Sequence, residues 1–102
     1  MQIKTDVSNN KLVITLSGRL DTITSPQLEE EISHISLDEI EIIILDIKEL
    51  EYISSAGLRL ILKIHKKMSA KGGVLKLINV NEMISEVFYM TGMSDFLNIE
   101  KE

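Results

Sequence analysis

The sequence has no cysteine, no tryptophan and a single proline among its 102 residues. Without cysteine the chain cannot form disulfides, thiolate metal sites or a cysteine nucleophile. Its longest unbroken apolar run is only residues 42–45, whereas a membrane-spanning helix needs about 20 apolar residues. The N-terminus also lacks the apolar core of a signal peptide. We therefore expect a cytoplasmic protein that is neither exported nor inserted in a membrane.

Positive charge is also scarce. The chain carries 11 Lys and Arg against 16 Asp and Glu, a net charge of −5. Sequence-independent binding to nucleic acid needs a cationic footprint, so this class of function is not expected. A negative surface instead favours a protein partner with a basic face.

The remaining composition is that of an ordinary soluble domain, with 44% hydrophobic and 26% charged residues. The length is close to the commonest domain size. Neither a repeat nor a linker rich in Pro, Gly or Ser divides the chain. We expect residues 1–102 to form one domain, and because no surplus apolar stripe demands burial we expect a monomer.

Short apolar, β-branched segments predict the strands. Residues 3–7 and 12–16 flank a polar turn and predict a β-hairpin. The segment 41–46, whose residues 42–45 are all apolar, is typical of a central strand covered on both faces. Residues 74–78 predict a further strand, and 94–99 a short turn followed by an edge segment.

Helical spacing separates these strands. A first helix is expected to start at residues 22–26, with Thr24 or Ser25 as the cap and Pro26 in the first turn. After a loop at 47–53, a second helix runs from about 56 to 71, and its exposed face carries Arg59, Lys63, Lys66 and Lys67. A third helix follows Asn81. The order β-β-α-β-α-β-α predicts an α/β fold with a mixed sheet, mostly parallel with an antiparallel edge strand, and three to four helices mainly on one face.

The segment Ser54-Ser55-Ala56-Gly57 lies where open α/β sheets usually place their sites, at the carboxyl end of a parallel strand. A phosphate on a serine there would be tolerated by its own fold, because helix N-termini bind anions. The same charge would disturb a partner that covers the helix start. Gly57 would let another backbone or a phosphate approach closely. Taken alone, the pattern is more often that of plain helix-capping serines than of a regulatory site.

The chain resembles the STAS family of anti-sigma factor antagonists over nearly its whole length. Matching segments are Gly18-Arg19-Leu20-Asp21-Thr22, Leu45-Asp46, Tyr52-Ile53-Ser54-Ser55-Ala56-Gly57-Leu58-Arg59, Gly72-Gly73-Val74-Leu75, Asn79-Val80 and Gly92. The resemblance implies a STAS fold and phosphorylation at Ser55. Ser54 stands where many members have an acidic residue and Ala56 where they have a second hydroxyl, which leaves Ser54 as the competing acceptor.

The resemblance also implies a mechanism, in which the unphosphorylated domain binds an anti-sigma factor that is also a serine kinase. Phosphorylation of Ser55 ends that binding and a PP2C-type phosphatase restores it. The residues expected to contact the partner are Asp21, Thr22, Ser54, Ser55, Ala56, Gly57, Leu58 and Arg59. For Asp21 the alternative role, bonding backbone N–H groups at a helix entry, is equally open.

A STAS module that is never phosphorylated and serves as a ligand sensor or scaffold is the main alternative. A serine hydrolase built on Ser55 is not expected, because the chain has no Gly-x-Ser-x-Gly elbow. Neither His34 nor His65 belongs to a set at metal-ligand spacing, so no metal or other cofactor is expected. The methionines Met83, Met90 and Met93 are interpreted as core or rim residues.

Overall fold

The chain begins with a β-hairpin, as the turn formers predict. The computed structural model describes all of residues 1–102. Strand β1, Gln2–Ser8, pairs antiparallel with strand β2, Lys11–Leu20. Asn9 adopts the left-handed conformation in the turn, with φ of 57°, which asparagine tolerates better than most residues. The predicted edge hairpin is therefore confirmed.

Three helices alternate with the remaining strands. Helix α1 is Ser25–Ser33, β3 is Ile42–Ile53, α2 is Ser55–Ala70, β4 is Val74–Val80, α3 is Glu82–Met90 and β5 is Asn98–Lys101, with a short 3₁₀ turn at Met93–Asp95. The five strands lie in the order β1-β2-β3-β4-β5. Only the β1–β2 pair is antiparallel. The predicted α/β class and mixed sheet are confirmed.

One face of the sheet carries the core. In β3, Ile43, Leu45 and Ile47 are fully buried, whereas the alternate residues Ile42 and Ile44 are only half-buried. The three helices pack on the buried side, where 23 apolar residues form one cluster. The expectation that β3 is covered on both faces was wrong, because all helices return to the same side. None of these helices combines the length and apolarity that crossing a bilayer requires.

Strand β3 is longer than its sequence suggests. Residues 47–53, predicted as a loop, continue the strand to Ile53 and pair with the end of β2. The β2–β3 register shifts between Thr15 and Ser17 and again between Gly18 and Arg19. These shifts break the two-residue alternation, since a bulge places successive side chains out of phase. Charged residues in the second half of β3 also interrupt the apolar pattern, so the sequence does not indicate a strand there.

Helix α2 matches the predicted span to within one residue at each end. It stops before Gly72, whose φ of 79° is the left-handed geometry expected after a helix. The interpretation of the methionines as core or rim residues is only partly correct. Met93 is buried as expected, but Met83 and Met90 are 56% and 75% exposed on α3, because that helix buries only Ile84 and Phe88.

Candidate functional site at the start of helix α2

The segment that carries the predicted site begins where β2 and β3 end side by side. Leu20 and Ile53 are paired in the sheet. The Ser54 N–H donates to the Leu20 carbonyl oxygen at 2.9 Å, so the chain leaves the sheet at a defined point. Helix α2 starts with the next residue. The site therefore stands at the carboxyl edge of the parallel strands, as expected for this class of sheet.

Ser54 caps the helix. Its backbone is extended, with φ −94° and ψ 175°, and its Oγ accepts from the Gly57 N–H. The N–O distance is 3.4 Å, long for such a bond. Ser54 is half-buried between the strand end and the helix. The plain capping role thus belongs to the first serine of the pair.

Ser55 is the first residue of α2 and is exposed to solvent. The first-turn N–H groups of a helix lack intrahelical acceptors. Ser54 bonds Leu20 and Gly57 bonds the cap, which leaves the amides of Ser55 and Ala56 open to an external acceptor. The positive end of the helix dipole also favours a negative charge at this point. An anion attached at Ser55 is therefore compatible with the fold.

Gly57 is buried and faces the sheet. A Cβ at this position would lie 2.9 Å from the Leu20 carbonyl oxygen and 2.9 Å from the Ile53 side chain. The predicted close approach is real, but the backbone that approaches is the chain's own. Gly57 is buried in the unbound domain, and its expected contact with a partner stays a prediction.

Asp21 organises the loop between β2 and α1. Its Oδ1 accepts from the Ile23 and Thr24 N–H groups, each at 3.0 Å, and its Oδ2 lies 3.7 Å from the Arg19 Nε. The backbone hydrogen bond from Thr24 is the main cause that lowers the pKa of Asp21, and the Ile23 amide and Arg19 act in the same direction. The helix-entry role is the one that the contacts support.

This arrangement also corrects the predicted cap of α1. Thr24 occupies the cap position without a side-chain cap bond; its Oγ1 instead donates to the Arg19 carbonyl oxygen at 2.7 Å. Ser25 lies inside the first turn, buried, and its Oγ has no hydrogen-bond partner. Asp21 bonds the amides on the approach to the helix, because Thr24 is held by the strand end. Pro26 does fall in the first turn.

The other predicted contact residues surround Ser55 with different exposures. Thr22 and Arg59 are exposed, Ala56 is half-buried, and Leu58 is half-buried against the core. The structure thus groups the β2–α1 loop and the first turns of α2 at one end of the molecule.

Three residues beside this group, Arg19, Tyr52 and Ile23, were not among the predicted site residues. The Arg19 guanidinium stacks over the Tyr52 ring at 4.1 Å from its centroid, a cation–π contact across paired strands. Ile23 is 76% exposed in the β2–α1 loop. The contact between Arg19 and Tyr52 depends on the strand register, which the local sequence does not show. Ile23 is an isolated isoleucine in a loop and gives no periodic signal that would mark it as functional.

The histidines lie apart from this group. His65 is ten residues along α2 from Ser55, about 15 Å at the helical rise, and its ring packs at 5.3 Å from the Phe96 ring. His34 pairs with Glu30 at the end of α1. No three His, Asp or Glu side chains come together in metal-binding geometry. The structure does not bring His65 to Ser55 as a catalytic base.

The family model for the STAS domain matches residues 2–102. The chain belongs to the STAS domain family. Among relatives, this STAS domain is 29% identical to the anti-sigma-B factor antagonist of Bacillus subtilis, over 97% of this chain and 92% of that protein. It is 30% identical to the anti-sigma F factor antagonist of Paenibacillus polymyxa, over 97% and 86% of the two chains.

A solved structure shares the fold of this STAS domain. The Bacillus cell fate determinant SpoIIAA, in its phosphorylated form, superposes with a TM-score of 0.75 at 25% identity. The match covers 99% of this chain and 93% of that one. The family resemblance and the fold expected from it are thereby confirmed.

Proposed function

We propose that this STAS domain is an anti-sigma factor antagonist that acts in the cytoplasm by binding an anti-sigma factor. The relatives that carry this role match nearly the whole chain. A surface at the carboxyl edge of the sheet suits a protein partner, because it combines exposed polar groups with the apolar side chain of Ile23. The acidic chain favours a partner with a basic face.

The proposed switch is phosphorylation of Ser55 by the partner, which would be a serine kinase. The single observation that carries this proposal is the exposed Ser55 hydroxyl on the first residue of α2, next to a Ser54 that is occupied as the cap. A phosphate there meets two open amides and leaves the core untouched. A relative solved in a phosphorylated form supports the same kind of switch.

The energetic requirement of the switch is modest. A phosphate adds roughly −1.5 to −2 charges at neutral pH. An unmatched charge in a desolvated interface costs about 2–5 kcal/mol, which is roughly thirty-fold to several thousand-fold in affinity. Phosphorylation can therefore separate the complex without unfolding either partner. A PP2C-type phosphatase would restore the binding form.

The proposed docking surface consists of the β2–α1 loop and the first turns of α2. Asp21 would hold the loop in shape through its bonds to Ile23 and Thr24, and Thr22 and Arg59 would contact the partner. Ser54, Ala56 and Leu58 contribute half-buried edges.

The test is incubation of the domain with its cognate kinase and ATP, followed by intact-mass measurement. We expect wild type and Ser54→Ala to gain one phosphate, and Ser55→Ala to gain none. Ser54→Ala is the matched control, since it removes the neighbouring hydroxyl and only a long cap bond. Binding of the anti-sigma factor should fall at least thirty-fold on phosphorylation of wild type.

Phosphate incorporation into Ser55→Ala at the wild-type level would refute the site. If wild type takes up no phosphate but binds the anti-sigma factor, the antagonist role stands without the switch. Failure of both measurements would favour the ligand-sensing or scaffold alternative.

A further inference from the structure

A cleft of about 220 Å³ lies between the first turns of α1 and α2. Its walls include Ser25 and Glu29 from α1 and Ala56, Arg59 and Lys63 from α2. Because both helices start at this end, both present the positive ends of their dipoles near the cleft. The space is sufficient for several water molecules or for one small oxyanion.

Ser25 supplies an unsatisfied donor at this cleft. The residue is 7% exposed, and its Oγ has no partner within the chain. A buried hydroxyl without a partner is destabilising relative to a hydrogen-bonded one, so such groups in folded proteins usually meet a water or a ligand. The hydroxyl hydrogen can rotate about the Cβ–Oγ bond, so Ser25 can donate to an acceptor that enters the cleft.

The charges around the cleft favour an anion. Lys63 pairs with Glu29 across the two helices, so these two charges offset each other. Arg59 lies on the same wall, is exposed, and makes no ion pair with any carboxylate of the chain. A protein of net charge −5 thus keeps one unpaired arginine beside an unpaired hydroxyl. Arginine is well suited to phosphate because its donors form a fixed fork.

We propose that this cleft binds an oxyanion of the phosphate class, held by the Arg59 guanidinium and the Ser25 hydroxyl, with Thr22 at its exposed edge. The phosphate can have two sources. One is a free phosphate group from solution, which does not depend on the proposed function. The other is the phosphoryl group on Ser55, which rests on the proposed switch. Ser55 and Arg59 are four residues apart on α2 and are therefore neighbours on its surface.

The first experiment titrates the unmodified domain with inorganic phosphate at pH 7 and follows backbone amides by ¹H–¹⁵N NMR. Sodium chloride at matched ionic strength controls for screening. We expect saturable shifts at Ser25, Ala56 and Arg59, with a dissociation constant on the order of 1–10 mM. The Arg59→Gln variant should bind about tenfold more weakly, because it loses a charged donor.

Two variants separate binding from folding. Ser25→Ala should weaken phosphate binding about fivefold, yet its melting temperature without phosphate should equal or exceed that of wild type, since it removes an unpaired buried hydroxyl. Lys4→Gln removes one positive charge from an exposed position on edge strand β1 and should bind phosphate within twofold of wild type. If phosphate binding depended only on the overall charge, Arg59→Gln and Lys4→Gln would lose the same affinity for phosphate.

The second experiment installs phosphoserine at position 55 during translation, so that no kinase is needed. Phosphorus NMR then gives the second pKa of the phosphate, ordinarily about 6. Arg59→Gln should raise this pKa by a few tenths of a unit, because an i,i+4 pair stabilises the dianion. Occupation of the cleft by this group should also abolish the shifts caused by free phosphate.

The outcomes decide both the site and its source. An Arg59-dependent effect with free phosphate alone supports a free ligand, and one with phosphoserine alone supports Ser55 as the source. Shifts reproduced by chloride, together with an unchanged phosphoserine pKa in Arg59→Gln, would overturn the proposal and leave a water-filled cleft. Neither result depends on whether a kinase modifies Ser55, so the proposed switch is tested separately.

Discussion

The close contact between α2 and the end of β2 makes Gly57→Ala a sharp test of how the site is built. A Cβ at residue 57 would stand 2.9 Å from the Leu20 carbonyl oxygen and from the Leu20 and Ile53 side chains. The side chains can adjust, but the carbonyl is backbone. It also accepts the Ser54 N–H that starts the helix. The substitution must therefore push the first turn of α2 away from the sheet.

The expected cost follows from three contributions. Overpacking of this kind costs about 1–3 kcal/mol, and weakening the bond between Ser54 and Leu20 adds up to about 1 kcal/mol. Alanine in place of glycine returns up to about 1 kcal/mol through helix propensity. The midpoints of these ranges give a net destabilisation of about 2 kcal/mol, which lowers the melting temperature by roughly 8–16 °C in a domain of this size.

Urea denaturation and thermal melting followed by circular dichroism measure the effect. Ala70→Gly is the matched control, because residue 70 is the exposed last residue of the same helix. At residue 70, replacing alanine by glycine should lower the free energy of unfolding by up to about 1 kcal/mol. At residue 57 we expect the opposite preference. A Gly57→Ala variant as stable as wild type, with unchanged amide shifts at Ser54 and Ser55, would refute the argument from close approach.

The helix-entry carboxylate, the core and a second cap give three further tests. Asp21→Ala should lower stability at pH 7; since the folded-state pKa of Asp21 lies below its ordinary 3.8, the stabilisation is fully present above that value and is lost as pH falls through the folded-state pKa. The difference in melting temperature should therefore be constant above about pH 5 and shrink below about pH 4, and a pH-independent difference would contradict this. Phe88→Ala, at a fully buried residue, should cost about 3–5 kcal/mol in urea, whereas Tyr89→Ala, 74% exposed, should stay within about 0.5 kcal/mol; similar losses would be inconsistent with the core described. Asn81→Ala should cost about 1–2 kcal/mol, because it removes the cap bond to the Ile84 amide and the bond to the Leu50 carbonyl; an unchanged urea midpoint would exclude that role.

The elements that repeat a strong local pattern were predictable. The apolar positions of α2 recur at helical spacing, and its span was predicted to within one residue at each end. The hairpin followed from polar turn formers between two apolar segments. Strand β3 was only half predicted, because the second half alternates out of phase with its partner and carries Lys48, Glu49 and Glu51. Local periodicity cannot reveal a register shift between two strands.

The site shows the same division. The position of Ser55 at a helix start could be predicted, since the preceding strand and the following helix both have clear patterns. Which residue caps α1 could not, because Thr24 is taken by the Arg19 carbonyl and Asp21 bonds the amides instead. The burial of Gly57 and the stacking of Arg19 on Tyr52 also depend on strand pairing.

The sequence by itself determined the order of strands and helices, the mixed sheet and the serine at the start of α2. These properties arise from interactions between residues close in the chain and from the alternation of apolar and polar positions. Only the tertiary structure decided that β3 is buried on one face alone, that Gly57 packs against the backbone of β2, and that Ser25 and Arg59 share a cleft. These contacts are between residues far apart in sequence, and they form only when the sheet has set the distances between its helices.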